Sequence, residues 1–360
     1  MCHDSEIRIG VGISKVDFAP REALALEMGP RPSKNEGTRP EVVPPSMSLP
    51  PIRQDKQFRW RNRAMQTRRP TRILHALAVA SVILPAPRAE SQISPDTLRF
   101  AFVSDLHFGK TDYNGEPLFP AKWLKEALLG IERKKAEFII LGGDLIESSN
   151  SSSQYAMFDS ALQTALPWYP MAGNHDVGAE PQKATQEKLL AWIQRGYGRG
   201  SGNREYYGFV RRSIGAFFVL NTQAYSSTVL SVLARADSQL IEMDSFFTAN
   251  AAVPNKFVCS HVPLFIDGQT EDSTGYFSIG PTYRKRIIAL MKKHNARYYL
   301  AGHRHVNAAK TDGNITVYAN TALSFQLGSG NQRGYYLYTV TSGSVRREFC
   351  PLSLEPDVVR

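Results

Sequence analysis

The sequence contains few cysteines, and they form no recognisable pattern. Its three cysteines are Cys2, Cys259 and Cys350, and no CxxC pair occurs. This spacing excludes a cysteine-rich disulfide framework and gives no information on the redox compartment. Cys259 lies in the apolar run FVCSH and is therefore predicted to pack as a small hydrophobic side chain.

The sequence also lacks an apolar run long enough for a stable membrane span. The run at residues 73–86 has 14 residues, whereas a transmembrane helix needs about 20. The arginines of MQTRRPTR precede this run and small residues follow it, which is the layout of a secretory signal peptide. With Met65 as the initiator, residues 65–89 form a candidate signal peptide, and the mature protein is exported and begins near Glu90. The alternative is a cytoplasmic protein with a disordered tail that holds a short apolar patch.

Residues 1–64 lack the periodicity of helices and of strands. Eight prolines fall between Pro20 and Pro51, and the segment RPSKNEGTRPEVVPPSMSLPP holds few apolar residues. Such a segment buries too little apolar surface to offset the entropy of ordering it. We therefore predict that residues 1–64 are disordered, and that they lie upstream of the true start if Met65 is the initiator.

Positive charge is concentrated in the N-terminal quarter. Residues 1–94 carry 15 Lys and Arg against 9 Asp and Glu, a net charge of +6, and the remaining residues carry a net of +4. Nucleic-acid binding requires basic residues gathered on a folded face. We therefore expect no nucleic-acid partner, and nucleic-acid hydrolysis is a weak alternative that the salt dependence of binding would test.

From about Thr97 onward, short apolar runs alternate with stretches of helical pattern. Runs of strand length include LRFAFVS, EFIILGG, FFVLNT, KFVCS and RYYLAG. The helix-like stretches are residues 120–135, 151–166, 183–195, 236–249 and 282–294. This alternation predicts an α/β fold with helices on both faces of the sheet structure. Residues 95–360 are predicted to form this domain.

Polar residues follow five of the predicted strands directly. They are Asp105-Leu-His107, Asp144, Asn174-His175-Asp176, His261 and His303-Arg-His305. Ligands of open α/β folds bind beyond the carboxyl ends of the strands, so we expect these side chains to meet. Taken singly, each motif has a structural interpretation, such as a turn or a hydrogen-bonded buried histidine. The ordered set, with each member at a strand end, favours a functional site.

The side chains of this set predict a metal site. Imidazole and carboxylate groups suit divalent or trivalent ions such as Zn, Mn and Fe. Seven donor side chains exceed what one tetrahedral ion needs, and they suit two ions that share one carboxylate. Two ions about 3.5–4 Å apart are the usual arrangement for in-line displacement at phosphorus.

The ordered set DxH, GGD, GNHD, H and GHxH, over residues 99 to about 325, resembles the signature of calcineurin-like metallophosphoesterases. The resemblance implies two stacked mixed β-sheets flanked by helices, a four-layer sandwich. It implies that two carboxylates and two imidazoles hold one ion, through Asp105, His107, Asp144 and His305. It implies that the second ion is held by Asp144, Asn174, His261 and His303. His175 would be the catalytic histidine near the leaving group, and Asp176 would orient it.

Segments outside the metal motifs narrow the resemblance. HVPLFIDGQTEDSTGYFSI and GHRHVNAAKTDGNITVYANTALSFQLG are similar to the calcineurin-like phosphoesterase domain-containing type, typified by a cytosolic protein serine/threonine phosphatase. In animal members of that type glutamine tends to replace His107, whereas this chain keeps a full ligand. Purple acid phosphatases have a tyrosine ligand at the position of Glu147. Cyclic-nucleotide phosphodiesterases share the metal motifs and stay open as an alternative.

The resemblance implies hydrolysis of phosphate esters by water, without a covalent enzyme intermediate. We expect a phosphomonoesterase, with a phosphoprotein as a candidate substrate; the alternatives are a phosphodiesterase and, more remotely, a non-catalytic metal-binding scaffold. The Gly-rich polar stretches 196–209 and 267–280 are predicted to form the rims of the substrate pocket.

Overall fold

The computed structural model describes residues 96–178, 184–200, 203–227, 230–272, 276–328 and 330–353. The predictions for residues 1–64 and for the candidate signal peptide at 65–89 lie outside the described residues. Within the described part of the chain, no helix combines the length and the apolar character that crossing a bilayer requires.

Thirteen strands are present among the described residues. In chain order they are β1 (Leu98–Val103), β2 (Asp112–Tyr113), β3 (Glu116–Pro117), β4 (Phe138–Leu141), β5 (Trp168–Pro170), β6 (Tyr207–Arg211), β7 (Gly215–Val219), β8 (Asn255–Cys259), β9 (Tyr298–Ala301), β10 (Ala308–Asp312), β11 (Ile315–Ala319), β12 (Gly334–Val340) and β13 (Val345–Pro351).

Most of these strands form two mixed sheets. The first sheet has the order β13-β12-β1-β4-β5, in which β1, β4 and β5 pair in parallel and the β1–β12 and β12–β13 pairs are antiparallel. The second sheet has the order β10-β11-β9-β8-β7-β6, with a parallel centre and an antiparallel strand at each edge. Strands β2 and β3 form a separate hairpin.

The helices cover the predicted stretches with shifted ends. They are α1 (Pro120–Arg133), α2 (Ser152–Ala161), α3 (Asn174–Val177), α4 (Gln186–Trp192), α5 (Leu230–Ala249) and α6 (Pro281–Lys293). Helix α5 begins six residues before the predicted start at residue 236. Its first turns bury little beyond Val232, and Leu230 is 80% exposed, so the apolar periodicity there is too weak to mark a helix.

Apolar side chains alternate along the strands and build three layers of packing. Phe100 and Phe102 point between the sheets, where the Phe100 ring stacks on Phe138 and meets Phe217 edge-on at 5.2 Å. Cys259 is buried in the same layer, as predicted. The outer faces of the first and second sheets pack against helices. The predicted four-layer arrangement of two mixed sheets flanked by helices is therefore confirmed.

Candidate dinuclear metal centre

The site residues follow strands of both sheets. The loops after β1, β4 and β5 of the first sheet carry Asp105, His107, Asp144 and Asn174, and those after β8 and β9 of the second carry His261, His303 and His305. All seven side chains are buried. The loops after β1 and β4 also pair with each other, since the Asp105 and His107 N–H groups donate to the carbonyls of Gly143 and Asp144.

Tight backbone turns place these side chains. Five of the predicted ligands have a φ between 50° and 68°, the left-handed region that non-glycine residues seldom adopt: Asp105, His107, Asp144, His303 and His305. Conformations of this kind persist where the surroundings enforce them, and they concentrate at functional sites.

Two glycines of the motifs allow the close approach of these turns. A Cβ at Gly143, where φ is 89°, would lie 2.5 Å from His261 Nδ1. A Cβ at Gly173 would lie 2.1 Å from Asp144 Oδ1. The glycines of GGD and GNHD are therefore required by the packing of the ligands themselves.

The first group of donors consists of Asp105, His107 and His305. His305 Nε2 lies 3.4 Å from Asp105 Oδ1 and 3.2 Å from His107 Nε2. His107 Nε2 also lies 3.7 Å from Oδ2 of Asp144. Two carboxylates and two imidazoles thus converge on one point.

The second group centres on His261. Its Nε2 lies 3.1 Å from Asp144 Oδ2, 3.2 Å from Asn174 Oδ1 and 3.2 Å from His303 Nδ1. Oδ2 of Asp144 therefore faces imidazoles of both groups. Three donors from each group lie within 4.8 Å of one another, a spacing that suits a metal ion.

Hydrogen bonds outside the donor groups orient the imidazoles. Nδ1 of His107, His261 and His305 contacts, respectively, the Glu147 carboxylate at 2.7 Å, the Gly142 carbonyl at 2.8 Å and the Phe325 carbonyl at 2.7 Å. Because an N–H at Nδ1 must donate to these oxygens, Nε2 is the nitrogen that faces the cluster, and it offers its lone pair when the ring is neutral. His303 has the opposite orientation, with Nε2 bonded to the Tyr276 carbonyl at 2.9 Å and Nδ1 turned inward.

The structure corrects the expected contact between Asp176 and His175. Both lie in α3, where successive side chains point in different directions. His175 Nδ1 instead donates to the backbone carbonyl of Glu147 at 2.7 Å. The Asp176 carboxylate accepts the N–H groups of Gly173, Leu145 and Ile146 at 2.8, 3.0 and 3.3 Å. Asp176 thus links the loops after β4 and β5 by hydrogen bonds. The backbone carbonyl of Glu147 accepts the hydrogen bond that orients the His175 ring.

Burial shifts the pKa of each ionisable group of the site, and neighbouring charges and hydrogen bonds either oppose or reinforce that shift. Burial lowers the pKa of His261, but the carboxylates of Asp144 and Asp105 outweigh it and raise that pKa to about 9. Burial and the neighbouring His261 lower the pKa of His303 to about 4. Burial raises the pKa of Glu147, yet hydrogen bonds from His107 and Lys110 outweigh this and lower it to about 2.

Sequence reasoning missed two residues that contact the predicted ligands. Glu147 bonds His107 and also Lys110, at 2.8 Å. The Tyr276 hydroxyl accepts Asn174 Nδ2 at 3.1 Å, which turns the amide oxygen toward His261. The sequence singles out Glu147 only because it stands at the position of the tyrosine ligand of purple acid phosphatases. It singles out Tyr276 only as part of the predicted pocket rim at 267–280.

Comparison with known proteins places this chain in a family. The family model for calcineurin-like phosphoesterases matches residues 98–307, more than half of the chain. The chain therefore belongs to the calcineurin-like phosphoesterase family, and it is a metal-dependent phosphoric ester hydrolase.

Similar proteins agree with this assignment. Serine/threonine-protein phosphatase CPPED1 of Homo sapiens is 25% identical over 226 residues, 61% of this chain and 68% of the human protein. The Bos taurus protein of the same name is 26% identical over 226 residues, with the same coverage of 61% and 68%.

Two solved structures share the fold. A dimetal phosphatase from Danio rerio has a TM-score of 0.50 and 12% identity, over 71% of this chain and 99% of that one. Purple acid phosphatase PPD1 from Lupinus luteus seeds has a TM-score of 0.50 and 13% identity, over 71% of this chain and 51% of that one. At such identities the similarity shows the fold alone.

Proposed function

We propose that the chain is a phosphomonoesterase with a dinuclear metal centre. One ion is assigned to Asp105, His107, Asp144 and His305, and the other to Asp144, Asn174, His261 and His303. The observation that carries this proposal is the position of Asp144 Oδ2, 3.7 Å from His107 Nε2 and 3.1 Å from His261 Nε2. A single oxygen between two groups of donors suits a shared ligand.

The donor set fits such ions chemically. Buried carboxylates, an amide oxygen and imidazoles with inward lone pairs are ligands for Mn, Fe or Zn. When bound, such ions neutralise charge on a phosphate ester and make water acidic enough to yield a nucleophile near neutral pH.

The chain's own residues supply the remaining functions. His175 is half-buried, and its ring lies 4.7 Å from that of His107. With Nδ1–H donated to the Glu147 carbonyl, Nε2 hands a proton to the departing alcohol oxygen from the imidazolium form of the ring. Burial lowers the pKa of His175, but the Asp144 carboxylate and the hydrogen bond to Glu147 outweigh it and raise that pKa, which favours the imidazolium. Asp176 keeps the backbone of Leu145, Ile146 and Gly173 in register, so that Asp144 and Asn174 face the same point.

We propose a phosphoprotein as the substrate class. The support is the similarity to two proteins named serine/threonine-protein phosphatase, which covers 61% of this chain. The test uses the purified protein, its metal content, the matched aryl esters 4-nitrophenyl phosphate and bis(4-nitrophenyl) phosphate, and a phosphoserine peptide. Hydrolysis of the monoester and the peptide is expected. Preference for the diester would favour a phosphodiesterase, and two bound ions without hydrolysis would favour a scaffold.

We also propose export of a product that starts at Met65, on the basis of the arginine-rich, apolar and small-residue layout of residues 65–89. Sequencing the N-terminus of the natural protein is expected to find a start near Glu90. An intact segment 1–64 would contradict this proposal and favour a cytoplasmic protein.

A further inference from the structure

A cavity of about 280 Å³ opens beside the second group of donors. Asn174 and His303, two of the proposed ligands, form part of its wall. The rest comes from the 3-10 turn Thr222–Tyr225 with the following serine, from Val262, and from Tyr276 and residues 278–280 just before α6. The cavity therefore leads directly to the place where a phosphate ester reacts under the proposed function.

Among the described residues, the wall of this cavity has one ionisable side chain besides two tyrosines, that of His303. No Lys, Arg, Asp or Glu occurs among the described residues that line it. Charged groups lie near the first donor group instead, where Lys110 Nζ and Glu147 Oε1 are 2.8 Å apart. A carboxylate or second phosphate in the cavity would meet no Lys or Arg side chain, and the ions assigned to the donor groups are engaged by the reacting phosphate, so its lost hydration is not offset.

Two tyrosines give the cavity an affinity for a flat, weakly polar group. The ring of Tyr276 is 40% exposed and lies 4.5 Å from the His303 ring, so it offers a face for stacking. Tyr225 also lines the cavity, and its hydroxyl is buried.

We propose that this cavity binds the alcohol part of a phosphate monoester and selects against alcohol parts that carry a further anionic group. The proposal rests on the proposed phosphomonoesterase function and narrows it to a substrate class. Esters whose alcohol carries a further carboxylate or phosphate are expected to be poor substrates, because no Lys or Arg side chain among the described residues lines the cavity to pair with that anion.

The first experiment compares phenyl phosphate with 4-carboxyphenyl phosphate, which differ by one remote carboxylate. We expect kcat/KM to be about tenfold lower for the carboxylated ester, since an unpaired anion is desolvated in the cavity. Calorimetric binding of phenylphosphonate and 4-carboxyphenylphosphonate, which are not hydrolysed, is expected to show the same ratio. Equal values for both pairs would overturn the proposal.

The second experiment changes the charge of the wall at Ser226, an exposed residue that lines the cavity. Ser226→Lys is expected to remove or reverse the discrimination, because it supplies a cation. Ser226→Gln, of similar length but neutral, is expected to keep the ratio of the unmodified protein. A Lys variant with an unchanged ratio and unchanged metal content would contradict the proposal.

Failure of the proposed function gives a different result. If the metal-loaded protein hydrolyses neither phenyl ester, the phosphomonoesterase assignment fails, while the phosphonate binding ratios still decide whether the cavity selects against anions.

Discussion

The two sheets contribute different chemistry to one site. Loops of the first sheet supply both carboxylates, the amide and one imidazole, whereas loops of the second sheet supply three imidazoles. Each donor group takes members from both sheets, so neither sheet by itself presents a complete set of ligands. The packing of Phe100 and Phe138 against Phe217 between the sheets is therefore a requirement for metal binding as well as for stability.

The comparison also shows how the sheets influence each other electrostatically. His261 belongs to the second sheet, yet Asp144 and Asp105 of the first sheet raise its pKa to about 9 against the effect of burial. The protonation state of His261, which follows a strand of the second sheet, thus depends on two carboxylates that follow strands of the first sheet.

The largest effect is expected for Asp144→Asn, which removes the one carboxylate that both donor groups share. We expect loss of both ions and a fall in kcat/KM of more than about a thousandfold, because charge neutralisation at phosphorus is lost. Metal analysis and aryl phosphate hydrolysis measure this. Asp237→Asn, at an exposed surface ion pair with Arg286, is the control and is expected to change neither. Retention of one tightly bound ion would show that Asp144 serves a single site.

His175→Ala separates catalysis from metal binding within the first sheet. We expect a loss of about a hundredfold or more in kcat with both ions retained, and a larger loss for poor leaving groups, since general acid catalysis is removed. His175 also lies within ligand distance of His107 and Asp144. Release of metal by this variant would therefore make His175 a ligand instead of the acid.

Glu147→Gln tests the first-sheet contact that orients His107. The variant keeps the size of the side chain but weakens the charged hydrogen bond to Nδ1, so the affinity for the ion at His107 is expected to fall about tenfold to a hundredfold. Competition with a chelator measures it. Lys110→Gln, which removes only the surface partner of Glu147, is expected to have a smaller effect. Equal effects would indicate that charge near the site matters more than the orientation of His107.

The metal affinity of the second donor group should depend on pH, because His261 changes its protonation state. His261 must lose its proton to bind an ion, and its pKa of about 9 lies above neutral pH. Between about pH 6 and 9 the affinity of the second group is therefore expected to rise about tenfold per pH unit, with release of one proton. Calorimetry in two buffers of different ionisation enthalpy detects that proton. Metal binding without proton release would contradict the raised pKa.

Tyr276→Phe is the second-sheet counterpart of Glu147→Gln and should have the smallest effect. It removes the hydroxyl that accepts Asn174 Nδ2 but leaves the carbonyl that holds His303. A neutral hydrogen bond is worth about 1 kcal/mol, so we expect a severalfold loss of affinity for the ion at Asn174. Tyr113→Phe, next to the first donor group, is the matched control. An equal loss in both variants would leave the Asn174 contact without a specific role.

The sequence by itself determined the fold class, the strand-end motifs and the identity of the seven converging donors. The carboxyl ends of parallel strands meet at one edge of a sheet, so residues that directly follow these strands are expected to lie together. Gly143 and Gly173 stand where the backbone approaches ligand side chains too closely for a Cβ. The apolar periodicity also predicted most of the helices, although in the first turns of α5 it is too weak to indicate where the helix starts.

Only the tertiary structure decided which neighbours orient the donors and where a cavity opens beside them. Glu147 rather than Asp176 holds His175, because adjacent helical residues diverge while a loop from another strand can close over the ring. Tyr276 and residues 278–280, from the predicted rim 267–280, line this cavity, whereas none of the described residues of the predicted rim 196–209 does. Tyr197 and Tyr207 of that stretch are buried in the core. Contacts between residues far apart in the chain depend on how loops pack, and no pattern along the sequence encodes that packing locally.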